Sequence, residues 1–137
     1  MTWQEFEMLV GEAFREQGFT VRETTAGADG GVDLELRKDG ELFLVQCKQW
    51  RATKVGVTVV RELFGAMAAV GATGAYVVTS GVFTTEARQF ADGRNITLVD
   101  SDSLQDLLGH ARNSKKFHAG NEEPTLNLEP KQDRQRS

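Results

Sequence analysis

The dipeptide Asp39-Gly40 stands between "VDLELRK", in which apolar and polar residues alternate, and "ELFLVQCK", which is largely apolar. Alternation of period two marks a strand with one buried face, and Asp-Gly is a strong signal for a two-residue hairpin turn. Together they set a register. Counting outward from the turn pairs Lys38 with Glu41 beside the turn, then Leu36 with Phe43 and Leu34 with Val45, which make the rest of that face apolar. The other face sets Glu35 against Leu44 and Asp33 against Gln46, and Lys48 shares that side. Directly opposed Cβ atoms lie roughly 5 Å apart. A carboxylate, an amide and an ammonium thus converge where a core could have used aliphatic side chains.

The flanking segments read as alternating helices and strands. Residues 2–17 form an amphipathic helix: Thr2 and Glu5 have capping-box spacing, and Trp3, Phe6, Val10, Ala13 and Phe14 make an apolar stripe that ends before Gly18. "FTVRET" (19–24) is a short strand and "AGADGG" (26–31) a loop. A second helix spans Thr58 to Val70, with Val60, Leu63, Phe64 and Met67 expected to face inward. "AYVVT" (75–79) reads as a strand buried on both faces. A helix after Thr84, a strand "ITLVD" (96–100) and a helix from Ser103 to Ala111 complete the order. The uncharged run 63–85 is broken by Gly65, Gly71, Gly74 and Gly81, so it reads as helix, turn and strand rather than a membrane span. The expected fold is α/β: a mixed sheet flanked by helices, beginning with an N-terminal helix and an antiparallel meander.

Beyond Asn113 both prolines and interspersed charges replace the apolar pattern, so residues 1–112 are expected to form one domain and 113–137 a disordered tail or linker. The lone Cys47 excludes an internal disulfide and a cysteine-rich zinc cluster, and with no basic-then-apolar leader the expected location is cytoplasmic. A net charge of −4 argues against coating nucleic acid through bulk charge. It leaves a nucleic-acid enzyme open, because Lys48, Arg51, Lys54 and Arg61 fall in a stretch without acids.

Glu7 enters the same chemistry from the first helix. It lies at i+4 from Trp3 and i−3 from Val10, inside the apolar stripe, where a carboxylate is costly unless paired or bound to a cation. It could equally reach water at the stripe's border, or pair with Arg37 or Lys48. Oxygen ligands converging beside a lysine suit Mg²⁺-assisted phosphodiester hydrolysis. For an arbitrary hairpin, a cross-strand ion pair between Asp33 and Lys48, with Gln46 a satisfied polar group, is the stronger reading.

Six segments change that balance: "FEMLVGEAFREQGFTV", "GADGGVDLEL", "VQCKQW", "VRELFGAM", "VVTSGVFTTEARQFA" and "ITLVDSDSL". In this order, over residues 3–110, they resemble the Mrr-like restriction endonuclease domain of the PD-(D/E)xK nuclease superfamily. The resemblance implies that Asp33 binds metal, that Gln46 takes the usual acidic position and that Lys48 is the catalytic lysine. Glu7 matches the helix glutamate that many superfamily members direct at the metal. Val32 departs from the signature proline and Gln46 from an acid, although glutamine is common among Mrr-like members. Losing that charge makes Glu7 more important as a ligand.

The implied activity is a Mg²⁺-dependent DNA endonuclease, with Mn²⁺ a substitute metal, acting in restriction of foreign or modified DNA. A non-cleaving nucleic-acid-binding module with the same fold, or a structure-specific repair or junction nuclease, are the alternatives. The implied partners are double-stranded DNA, a homodimer mate and a separate specificity domain or protein, with no small-molecule cofactor and, in some relatives, a membrane tether. Asp29 could be an outer-shell ligand or a turn residue. Thr79, Ser80 and Thr84 could hold a phosphate or cap a helix. Gln49, Trp50, Arg51 and Lys54 are candidate DNA contacts, Trp50 being as readily core, while Cys47, His110 and His118 are expected to do no chemistry.

Overall fold

The computed structural model describes residues 2–24, 31–48 and 54–116, with the side chains of the last helix described as far as residue 109. Asp29, Gln49, Trp50, Arg51 and His118, and the His110 side chain, lie outside the described residues.

Helix α1 (Trp3–Glu16) starts with the expected capping box: the Thr2 hydroxyl accepts from the Glu5 N–H, and the Glu5 carboxylate accepts from the Thr2 N–H. Phe6, Val10, Ala13 and Phe14 bury its inner stripe, and Gly18 follows the helix at φ +99°. Strands β1 (Thr20–Glu23), β2 (Leu34–Lys38) and β3 (Glu41–Cys47) form the antiparallel meander. Asp39 and Gly40 both have positive φ, 54° and 81°, which is the type I′ turn that twisted hairpins favour. The observed pairs run from Lys38↔Glu41 to Leu34↔Val45, as counted from the turn.

Helix α2 (Val57–Val70) then carries the chain to β5 (Gly74–Val78), which pairs in parallel with β3. Helix α3 (Thr85–Ala91) leads to β7 (Ile96–Val99), parallel to β5, and α4 (Ser101–Lys116) closes the order. The five-stranded sheet has the order β1-β2-β3-β5-β7. Leu34, Leu36, Val45, Cys47, Val78 and Val99 pack against Phe6, Val10 and Phe14 of α1 and Leu104 and Leu108 of α4. On the other face, Leu44, Ala75, Val77 and Ile96 pack against Val60, Leu63 and Met67 of α2 and Ala87 and Ala91 of α3. Each Val, Leu, Ile, Phe or Met side chain among them contributes about 1.5–3 kcal/mol when taken out of water.

Three differences from the sequence expectation have local causes. Phe64 does not face inward. It is 38% exposed and meets Phe90 of α3 edge to face, at 5.7 Å between centroids. Helix α4 begins earlier than Ser103, because Asp100 caps it by accepting from the Ser103 N–H, and it continues past residue 112 to Lys116. A second, two-stranded parallel sheet joins β4 (Lys54–Val55) to β6 (Val82–Phe83), strands too short to leave a periodic pattern. No helix among the described residues is long and apolar enough to cross a membrane.

Candidate active site

The carboxyl ends of the parallel strands β3, β5 and β7 meet the start of β2, because β2 runs antiparallel to β3. In open α/β sheets, ligands bind in the crevice beyond such ends. The Lys48 N–H bonds the Val78 carbonyl at 2.8 Å, so the lysine leaves the sheet at its centre.

Asp33 straddles Gln46. Its N–H donates to the carbonyl of Val45 at 2.8 Å, and its Oδ2 accepts from the N–H of Cys47 at 2.7 Å. The paired ladder ends at Leu34↔Val45, so Asp33 is not a ladder partner of Gln46. Its carboxylate turns to the strand's main chain instead.

Glu7 reaches Asp33 from α1. Its carboxyl is pushed up to about 7, first by burial, then by a hydrogen bond to Asp33 and by the charge of Asp33. The Trp3 side chain hydrogen-bonds Glu7 and pulls the other way, and the charge of Glu23 pushes up a little more. Asp33 is raised as well, chiefly by burial, against the Cys47 N–H, the Glu7 hydrogen bond and the charge of Lys48. The hydrogen bond between them raises Glu7 and lowers Asp33. The partner of Glu7 is thus another acid, rather than Arg37 or Lys48.

The ion pairs that form among the described residues are Arg15–Glu12, Arg22–Glu35 and Arg88–Asp100, and Lys48 is in none of them. Lys48 acts on Asp33 as a nearby charge. Gln46 is buried, 5% exposed, and among the described residues its Oε1 has no hydrogen-bond partner. Two carboxyls in contact, an unmet amide oxygen and a neighbouring ammonium are a poor set for a structural core. They fit a cation: Glu7, Asp33 and Gln46 offer three hard oxygen donors. Among the described residues, no three or more His, Cys, Asp or Glu gather as a metal group; the oxygen donors at this site are two carboxyls and one amide.

The remaining candidates divide. The Thr84 hydroxyl caps α3 by accepting from the Ala87 N–H at 3.1 Å, and the Thr79 hydroxyl, fully buried, accepts from the Gly81 N–H at 3.1 Å. Ser80 stands between them, at the end of β5. Lys54 is exposed on β4, whereas Arg61 turns outward on α2, 5.6 Å from the centre of the Phe90 ring. Burial and the charges of Asp33 and Glu7 hold the Cys47 thiol well up, so it stays protonated. Sequence reasoning set Cys47 aside as a side chain and missed its N–H. It also missed Trp3 as a partner of Glu7, for which the i, i+4 spacing was the available signal.

A mixed sheet between two helical layers, with this acid pair at the carboxyl end of its central strand, defines a restriction-endonuclease-like α/β domain. The chain belongs to the restriction endonuclease family Mrr_cat, whose profile covers residues 1–108. It is 34% identical over 113 residues to the type IV methyl-directed restriction enzyme EcoKMrr of Escherichia coli K12, a match spanning 75% of this chain and 36% of that enzyme. The fold is similar to AF1548, a protein of unknown function, at a TM-score of 0.63 and 19% identity, covering 77% of this chain and 64% of that one. It is also similar to the MspJI restriction endonuclease, solved with a 27-mer oligonucleotide, at a TM-score of 0.54 and 22% identity over 85% of this chain and 29% of the other. The modification-dependent restriction endonuclease AspBHI shares the fold at a TM-score of 0.50 and 16% identity, over 84% of this chain and 37% of the other.

Proposed function

We propose that this chain is the catalytic domain of a Mg²⁺-dependent DNA endonuclease that hydrolyses phosphodiester bonds in restriction of foreign or modified DNA. The observation that carries the reading is the Glu7–Asp33 carboxyl pair beside Lys48, with the Gln46 amide oxygen unmet among the described residues. Asp33, Glu7 and Gln46 would hold the metal, with Mn²⁺ an acceptable substitute. Bound there, a divalent cation would supply a lowered water pKa and positive charge against the negative charge developing on phosphate.

The chain's own residues do the rest. Asp33 is kept in one orientation by the Cys47 N–H. Glu7 must release the shared proton before both carboxylates can serve as ligands. The Lys48 ammonium can orient the attacking water or donate to a non-bridging phosphate oxygen. Lys54 and Ser80, with Gln49 and Arg51, would meet the DNA backbone. Since the chain spans about a third of the length of EcoKMrr, recognition of methylated sequence would come from another domain or subunit.

Cleavage of unmodified and methylated duplexes in Mg²⁺ tests this reading. Asp33→Ala and Lys48→Ala should each abolish cleavage while the protein stays folded and binds DNA. Full activity in Lys48→Ala would sink the mechanism. A wild-type chain that binds duplex DNA yet never cuts it with any divalent metal would make it a binding module.

A further inference from the structure

Gln46 raises a question of orientation. A carboxylate at this position would offer a cation either of two equivalent oxygens, but a carboxamide has one edge that can bind it and one that repels it. Something must decide which edge is presented.

Gly31 does so by having no side chain. Its φ is +86°, and a Cβ built there would stand 2.7 Å from Gln46 Nε2 and 3.5 Å from its Cδ, with the amide oxygen beyond 4 Å. No real Cβ sits that close to another heavy atom, so the bare Cα is what admits the nitrogen edge of the amide. The group is planar, and seating its nitrogen against Gly31 turns the oxygen away. That oxygen is the one buried side-chain acceptor among the described residues without a partner. It belongs to the residue that Asp33 straddles, through hydrogen bonds to the main chain on either side of it.

We infer that Gly31 is a positioning residue: its missing side chain seats the Gln46 carboxamide so that Oε1 is presented as the neutral donor beside Asp33 and Glu7. The inference rests on the metal site proposed above and adds the device that orients one of its ligands. It makes Gly31 and Gln46 a pair. A side chain at 31 harms metal binding only because the glutamine is there to be displaced.

Mn²⁺ binding to the full 137-residue chain without DNA, followed by the paramagnetic signal of the free ion, reads this independently of cleavage. Gly31→Ala should weaken binding by about tenfold, the scale of lost outer-shell support, and Gln46→Ala, which removes the donor itself, by at least as much. The double variant should bind no more weakly than Gln46→Ala. Gly40→Ala separates backbone strain from contact, because Gly40 has a similar φ of +81° with nothing within 4 Å of a built Cβ. It should lower thermal stability and leave Mn²⁺ binding as it is.

Wild-type binding in Gly31→Ala, or an equal further loss when Gly31→Ala is added to Gln46→Ala, overturns the inference and leaves the nuclease reading intact. Undiminished binding in Gln46→Ala removes the glutamine from the donor set, and the inference with it. A wild-type chain that binds no Mn²⁺ overturns the metal site itself. If Gly31→Ala does not fold, Gln46→Asn examines the same contact from the other side. It keeps the amide but draws it off Gly31, and should bind Mn²⁺ as weakly as Gln46→Ala. Wild-type affinity there overturns the positioning role.

Discussion

Glu7 on the first helix and Asp33 at the start of the second strand meet carboxyl to carboxyl and share one hydrogen bond. In water both groups would be anions at neutral pH. Burial raises both groups, and with the hydrogen bond and charge of Asp33 added Glu7 reaches about 7, so the pair still takes up a proton where two free carboxylates would not.

That arrangement makes stability depend on pH with a definite sign. Glu7 titrates near 4.5 in the unfolded chain and about 7 in the folded one, so between those values the folded state binds more protons. Its contribution is fully present below pH 4.5 and is lost as pH rises through 7. In EDTA, wild type should therefore lose stability relative to Glu7→Gln between pH 5 and pH 8, by about a few degrees in Tm. Excess Mn²⁺ at pH 8 should raise the Tm of wild type and not of the variant. A Tm difference that ignores pH would show that Glu7 does not carry the proton.

Thr84 offers a choice between two uses of one hydroxyl. As the cap of α3 it accepts from Ala87 at 3.1 Å, and its loss in Thr84→Ala should cost about 1 kcal/mol. Urea melts should show this cost, Thr84→Ser should recover most of it, and KM for DNA should not move. A KM raised in Thr84→Ala at unchanged stability would assign the hydroxyl to phosphate.

Adjacent residues on α2 should behave differently. Leu63 is fully buried and Phe64 is 38% exposed. Leu63→Ala should cost about 2–5 kcal/mol. Phe64→Ala should cost about 1 kcal/mol, chiefly the edge-to-face contact with Phe90. Equal costs in equilibrium urea unfolding would contradict the orientation of the helix.

Two glycines give opposite signs for one substitution. A Cβ at Gly74 would meet the Asn95 carbonyl at 3.1 Å and the Phe43 ring at 3.2 Å, whereas one at Gly65, inside α2, would meet nothing within 4 Å. Gly74→Ala should destabilise by about 1–3 kcal/mol. Gly65→Ala should stabilise by about 0.5–1 kcal/mol through helix propensity. The two melting temperatures, measured side by side, decide it.

What could be read from sequence follows the range of the interaction. The hairpin register was legible because two residues, Asp39 and Gly40, dictate it locally. The same is true of the capping box at Thr2. Phe64 was misplaced because α2 is apolar on most of its surface, and a stripe cannot be assigned when nearly every position qualifies. The β4–β6 pair has two residues per strand, which is below any periodic signal. The acid pair needed tertiary geometry: the pattern put Glu7 on the inner face of a helix, but not opposite Asp33. The hairpin count brought Asp33 to Gln46 yet did not reveal that its carboxylate turns to a backbone amide.

That last contact bears on how such a site can vary over time. The N–H that holds Asp33 comes from the peptide of Cys47, and every amino acid except proline carries the same donor. The thiol faces a packed apolar layer and takes no part in the grip. Position 47 is therefore free to drift among residues that fit that layer, while the orientation of the Asp33 carboxylate is inherited unchanged through the main chain.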